Sequence, residues 1–185
     1  RRHGATTIDV AQTDEHRGRI WRGRKAAFAG MGRVSPNYYV QDGVVPRTRL
    51  PEVLNRIRAL EARSGLRIGN VFHAGDGNLH PLVLYDGAVE GQAERAEELA
   101  SAILQACVDA GGSLTGEHGI GLDKACHMPL MYSPDDMATM LRLRSAFDPD
   151  GLCHPGKAFP TPRLCGEVPG PYRQHPAERE GVERW

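Results

Sequence analysis

The stretch Phe72-His73-Ala74-Gly75-Asp76-Gly77-Asn78-Leu79-His80-Pro81 constrains the fold more than any other part of this chain. Gly75 and Gly77 permit backbone angles closed to other residues, and Asp76 and Asn78 readily hydrogen-bond to their own main chain. The four central residues therefore resist both helix and strand. Apolar runs flank them, Ile68 to Phe72 before and Leu82 to Tyr85 after. The pattern predicts strand, tight loop, strand, with the imidazoles of His73 and His80 converging on one point.

A second glycine-bounded stretch, Gly116-Glu117-His118-Gly119-Ile120-Gly121, contributes a carboxylate and a third imidazole. Two histidines and a glutamate suit zinc or a similar divalent ion, with a position left open for water or substrate. His73, His80 and Glu117 are the candidate ligands, and Asp76 or Asn78 the candidates for fixing the histidine tautomers. His118 would face away from Glu117 on an extended strand, and reaches the same cavity only if the glycines bend the chain. Beside a polarised hydroxyl, its near-neutral pKa would suit a general base. The glycine-rich loop alone is weak evidence, because such loops also cradle phosphates or simply turn. His3, His16, His127 and His175 read as structural or exposed histidines. The metal reading rests on the spaced pair combined with the later G-E-H-G.

The 185 residues, 40% of them hydrophobic, suffice for one domain or a domain with an appendage. Basic and acidic residues balance at 23 each, which gives no footprint for nucleic acid or an anionic membrane. No apolar run is long enough to cross a bilayer. Cys107, Cys126, Cys153 and Cys165 lack paired spacing and read as reduced thiols of a cytoplasmic protein. The opening Arg1-Arg2-His3 has neither methionine nor a signal pattern, and reads as part of a longer polypeptide.

In chain order, Thr6 to Ala11 alternates as a strand would. Asp14 to Phe28 reads as a helix with a basic face of Arg17, Arg22, Arg24 and Lys25. That face is either solvated or supplies one arginine to clamp a carboxylate. A strand with an Asp42-Gly43 turn spans Tyr38 to Val45, and helices are expected over Leu50 to Arg63, Gln92 to Ala110 and Pro134 to Phe147. Cys107 falls on the apolar face of the second of these, and Ser113 to Thr115 reads as a short strand. The sum is an α+β layer, an antiparallel sheet with helices packed on one side in a ferredoxin-like cap region, plus an irregular C-terminal segment. Residues 1–132 form that cap, 133–168 a C-terminal return segment, and 169–185 a loosely ordered tail.

Three motifs in this order, FHAGDGNLHP, SLTGEHGIGLDK and FDPDGLCHPGK, resemble the C-terminal half of FAD-linked oxidases of the vanillyl-alcohol-oxidase type. The nearest branch is the FAD-binding, D-subunit type of bacterial glycolate oxidase, with D-lactate and D-2-hydroxyglutarate dehydrogenases related. WRGRKAAF and NYYVQDGVVPR extend the similarity from about Trp21 to Pro160. The resemblance implies a flavoenzyme oxidising a small 2-hydroxy acid to the 2-oxo acid. It implies zinc on His73, His80 and Glu117, His118 as base, and Arg24 on the substrate carboxylate. Asn78, His154 and Lys157 would face the flavin, although the family usually has asparagine where this chain has His154. Hydroxyglutarate enzymes carry lysine at the place of Val40 and asparagine at the place of Leu82, so a shorter monocarboxylate such as glycolate or D-lactate is implied here. The FAD domain lies N-terminal to this region in the family. The implied partners are that domain and other oxidase subunits, including an iron–sulfur subunit, which would place the assembly in the cytoplasm or peripherally at the inner membrane face. The alternative is a stand-alone metal-binding or interaction module without redox chemistry; a zinc hydrolase ranks below it for want of an H-E-x-x-H helix.

Overall fold

The computed structural model describes residues 4–159, which divide into two compact units, the first ending at Gly119 and the second starting at Ile120. Cys165, His3, His175 and the 169–185 tail lie outside the described residues, as does the end of the 133–168 segment.

The first unit is an antiparallel sheet clasped by helices. Strands β1 (Asn37–Val40) and β2 (Gly43–Val44) share one edge of β4 (Asn78–Tyr85), and β3 (Arg67–His73) pairs with its other edge. The register of β1 against β4 continues into β2, so Gln41 stands opposite Pro81 and Asp42 opposite His80. Pro81 explains the interruption. It has no N–H to donate, and only Gln41 N to Pro81 O, at 3.1 Å, bridges the two lanes there.

Helix α3 (Leu50–Ser64) crosses between β2 and β3, which run parallel to one another on either side of β4. This split β-α-β order is the ferredoxin-like arrangement. After α4 (Gln92–Asp109), the chain returns to the sheet through a single antiparallel bridge between Ser113 and Val44. The expected strand at Ser113 to Thr115 is thus reduced to one residue. Gly112 shows how tightly it is held: a Cβ there would lie 1.9 Å from Val44 O.

Alternation along β3 and β4 sorts the side chains. Ile68, Phe72, Leu79 and Val83 face α3 and α4, where they pack with Val53, Ile57, Ile103 and Cys107. Val71, Leu82 and Leu84 face the other way and pack with Ala27, Phe28 and Met31. Helices therefore cover both faces, not one as the sequence suggested. The reason is local: the expected helix over Asp14 to Phe28 breaks into α1 (Asp14–Lys25) and α2 (Ala27–Met31), and α2 turns its apolar side to the sheet. Gly69 admits it, since a Cβ there would sit 2.8 Å from Met31 Sδ.

Thr6 to Ala11 is not a strand. Ile8 and Val10 are 66% and 62% exposed, and alternation without a ladder partner does not hold an extended chain.

The second unit contains a short 3₁₀ segment, Ala125–Leu130, and α5 (Pro134–Phe147). Ser133 and Asp136 form a reciprocal capping box at the start of α5, with Pro134 in its first turn. Beyond α5, Asp148 accepts from the amides of Leu152 and Cys153 at 2.8 and 2.9 Å, folding the DPDGL loop back on itself. The thiol reading holds for Cys107 and Cys153, neither of which is in a disulfide. It fails for Cys126, which is disulfide-bonded. The spacing expected of a motif pair says nothing about pairing between distant cysteines.

Candidate metal centre and its relatives

The hairpin β3-β4 presents His73 and His80 on the sheet face that carries Val71 and Leu82. Val71 stands opposite His80 and His73 opposite Asn78, so the two histidines are diagonal neighbours. Their ring centroids lie 5.5 Å apart, nearly perpendicular. The loop between them closes through the amides of Asp76 and Gly77, both 3.0 Å from His73 O. Gly77 has φ +77°, and a Cβ there would lie 2.0 Å from Val45 O, so no other residue fits without moving the backbone.

Glu117 reaches both rings. Its carboxylate oxygens stand 3.7 Å from His73 Nε2 and 3.6 Å from His80 Nε2. His118 stacks on His80 with centroids 5.2 Å apart and planes 19° apart. Neighbouring residues thus face one cavity, which an extended strand would forbid. The loop is curled instead, because the amides of Gly116, Glu117 and His118 all point at one atom, Asp42 Oδ2, at 3.0, 3.0 and 2.8 Å. The Thr115 hydroxyl donates to the same oxygen at 2.6 Å.

Asp42 is the residue that the sequence reading passed over. It looked like half of an Asp-Gly turn; it is fully buried, and its other oxygen lies 3.8 Å from His80 Nδ1. The dipeptide carries no signal for this role, because His80 and the loop from Thr115 to His118 meet Asp42 only through the fold. Burial alone would raise the Asp42 carboxyl pKa, but the Thr115 hydroxyl and the three loop amides outweigh it and hold the group far below the usual carboxylate range. Burial pushes the His80 pKa down, opposed by Asp42 and Glu117 and reinforced by His118 and His73, which favours the neutral ring.

Two overlapping sets of ligand atoms lie within 4.8 Å of one another, His73/His80/Glu117 and Asp42/His80/His118. The first fits a divalent ion well: two imidazole nitrogens and a carboxylate converge, and burial favours the unprotonated form of His80 that a ligand needs. Asn78 is buried on the same sheet face, beneath Gly116, and its Oδ1 has no hydrogen-bond partner among the described residues. Arg24 is half-buried on α1, and its guanidinium makes no hydrogen bond or ion pair with the described residues. The structure does not bring it into contact with the imidazoles.

In the second unit, His154 and Lys157 line a shallow cavity with Arg144, Phe147 and Phe159. Arg144 gathers the carbonyls of Cys153, His154 (2.8 Å) and Lys157 (2.9 Å). His154 is held at φ +47°, an uncommon backbone angle for a residue with a side chain.

Residues 1–158 match the family model described as FAD linked oxidases, C-terminal domain. The chain belongs to that family. It is 48% identical over 172 residues to glycolate oxidase subunit GlcD of Escherichia coli K12, covering 93% of this chain and 34% of that protein. It is 32% identical over 155 residues to the GlcD subunit of Bacillus subtilis, 84% of this chain and 33% of the relative. A mitochondrial D-lactate dehydrogenase (cytochrome) of Arabidopsis thaliana is 29% identical over 166 residues, 89% of this chain and 29% of the relative. The chain therefore spans about a third of the length of these relatives. None of its described helices is long and apolar enough to cross a membrane.

Proposed function

We propose that this chain is the substrate and metal side of an FAD-dependent oxidoreductase that converts a small 2-hydroxy acid, glycolate or D-lactate, to the 2-oxo acid. The observation that carries the reading is the placement of the Glu117 carboxylate between His73 Nε2 and His80 Nε2, with His118 stacked alongside. Membership of the FAD-linked oxidase family supports the flavin, and relatives named for glycolate and lactate support the substrate class.

In this reading His73, His80 and Glu117 hold a divalent ion, zinc by the chemistry of the donors. Such an ion, when bound, polarises the substrate hydroxyl and carboxylate. The flavin supplies the hydride acceptor. The residues of this chain do the rest. His118 takes the hydroxyl proton on an imidazole nitrogen, and its exposure gives that proton an exit to solvent. His80, neutral and buried, keeps a lone pair for the ion rather than a proton. Arg24 pairs with the substrate carboxylate, a role its uncommitted guanidinium leaves open. The buried Asn78 Oδ1 suits an N–H of the cofactor, while His154 and Lys157 offer donors on the second unit. The N-terminal FAD domain and an iron–sulfur subunit are the proposed partners, in the cytoplasm or at its membrane face.

Variants of the full-length enzyme test this. His80→Ala and Glu117→Ala should each lose bound metal and turnover together. His118→Ala should retain the metal while flavin reduction in single turnover falls about 100-fold or more, the usual contribution of a general base. Unchanged metal content in both ligand variants would remove the ligand assignment, and normal flavin reduction in His118→Ala would remove the base.

A further inference from the structure

We propose that Asp42 is the positioning residue of this centre, one buried carboxylate whose Oδ2 shapes the loop bearing Glu117 and His118 while its Oδ1 keeps the proton of His80 on Nδ1. The inference deepens the metal reading, but its tautomer half stands on this chain's geometry alone.

Four donors converge on Oδ2: the Thr115 hydroxyl and the amides of Gly116, Glu117 and His118. Three successive amides can meet at one acceptor only if the backbone curls around it, as in the nests that bind anions. Here the anion is a side chain of the fold itself. The curl is what turns Glu117 and His118 to the same side. The Asp42 main chain joins in, with Gly116 N 3.1 Å from Asp42 O, and Thr115 Oγ1 accepts from Gly119 N at 2.8 Å on the far side of the loop.

Oδ1 lies 3.8 Å from Nδ1 of His80, the residue opposite Asp42 in the ladder. His80 is 3% exposed, and among the described residues its Nδ1 has no acceptor within hydrogen-bond distance; Asp42 Oδ1 is the acceptor it faces. Carboxylates face both ring nitrogens, the buried Asp42 at Nδ1 and the half-exposed Glu117 at Nε2; water can serve Glu117 but not Asp42, which favours the His80 proton on Nδ1. The lone pair is then on Nε2, the nitrogen that faces Glu117. At 3.8 Å this is a contact short of a hydrogen bond, of the kind that commonly tightens in the working complex. One residue thus sets the orientation of a candidate ligand, of its partner ligand and of the candidate base.

An amide cannot do both jobs. In Asp42→Asn, the single oxygen goes to the loop amides and the NH₂ then faces His80 Nδ1, which must accept. The proton moves to Nε2 and the lone pair is lost from the metal side.

The experiment is ¹⁵N NMR of the histidine side chains in the metal-free complete protein, followed by Zn²⁺ titration. The wild type should show His80 protonated on Nδ1, and Asp42→Asn should show the opposite tautomer. Zn²⁺ affinity should fall about 10- to 100-fold in the variant, as for loss of an outer partner of a ligating histidine. Thr115→Val, which removes one loop donor and leaves the carboxylate, should keep the wild-type tautomer. A wild-type His80 protonated on Nε2 overturns the proposal, and this holds even if Asp42→Asn fails to fold. So does an unchanged tautomer in a folded Asp42→Asn. Two Zn²⁺ per wild-type chain and one in the variant would make Asp42 a ligand, which also overturns it. If the tautomer switches while the wild type binds no Zn²⁺, the positioning role is supported and the metal reading falls.

Discussion

Gly75 and Gly77 stand two residues apart in the same loop, and the structure separates their roles. Gly77 combines φ +77° with a Cβ position 2.0 Å from Val45 O; Gly75 has open space around its Cβ position and no positive φ. Gly77→Ala should therefore destabilise the protein by at least about 2 kcal/mol through left-handed strain and the forced shift of Val45. Gly75→Ala should change stability by no more than about 0.5 kcal/mol. Equilibrium urea unfolding of the two variants measures the contrast, and equal losses would mean that the loop is not fixed at Val45. In the sequence both glycines read alike, because a motif records residue types and not what each Cβ would meet. Asp42 was hidden for the same reason. Its partners are His80 across the ladder and a loop more than seventy positions away, and neither is visible from the Asp-Gly dipeptide.

At the scale of elements, α4 is the helix with the deepest apolar face. Leu99, Ile103, Leu104 and Cys107 are all buried, and Ile103 and Leu104 are wholly so. Ile103→Ala should lower stability by about 2–5 kcal/mol, with the value depending on how far the site collapses. Helix α5 is a different case, with no buried residue of its own and a start fixed by Ser133 and Asp136. Ser133→Ala should cost about 1 kcal/mol of local stability, seen as faster amide exchange in its first turn while α4 is unaffected. The apolar spacing of α3 and α4 and the serine–proline start of α5 made these helices legible. The α1–α2 break was not, since nothing in WRGRKAAF marks Ala26; the packing of Phe28 and Met31 on the sheet selects it. The Thr6 to Ala11 strand failed in the opposite sense. Its alternation is real, but no neighbouring strand uses it.

For the molecule as a whole, the candidate centre joins two parts of the chain that the sequence keeps well apart. His73 and His80 precede α4, and Glu117 follows it. A divalent ion held by all three would be a clip across the entire α4 excursion, closed in the native state and open in the unfolded one. Stability would then obey mass action: the ion adds RT ln(1 + [L]/Kd), about 2.7 kcal/mol when its free concentration is 100 times Kd. Scanning calorimetry of the complete protein across a series of buffered free Zn²⁺ concentrations should show Tm climbing steadily above Kd, and Glu117→Ala should flatten that climb. A wild-type Tm indifferent to Zn²⁺ would mean that the ion does not bridge the two segments. Where it does bridge them, chelation would loosen the segment that carries α4 as well as silence the chemistry, and the metal supply of the cell would set how long the folded protein persists.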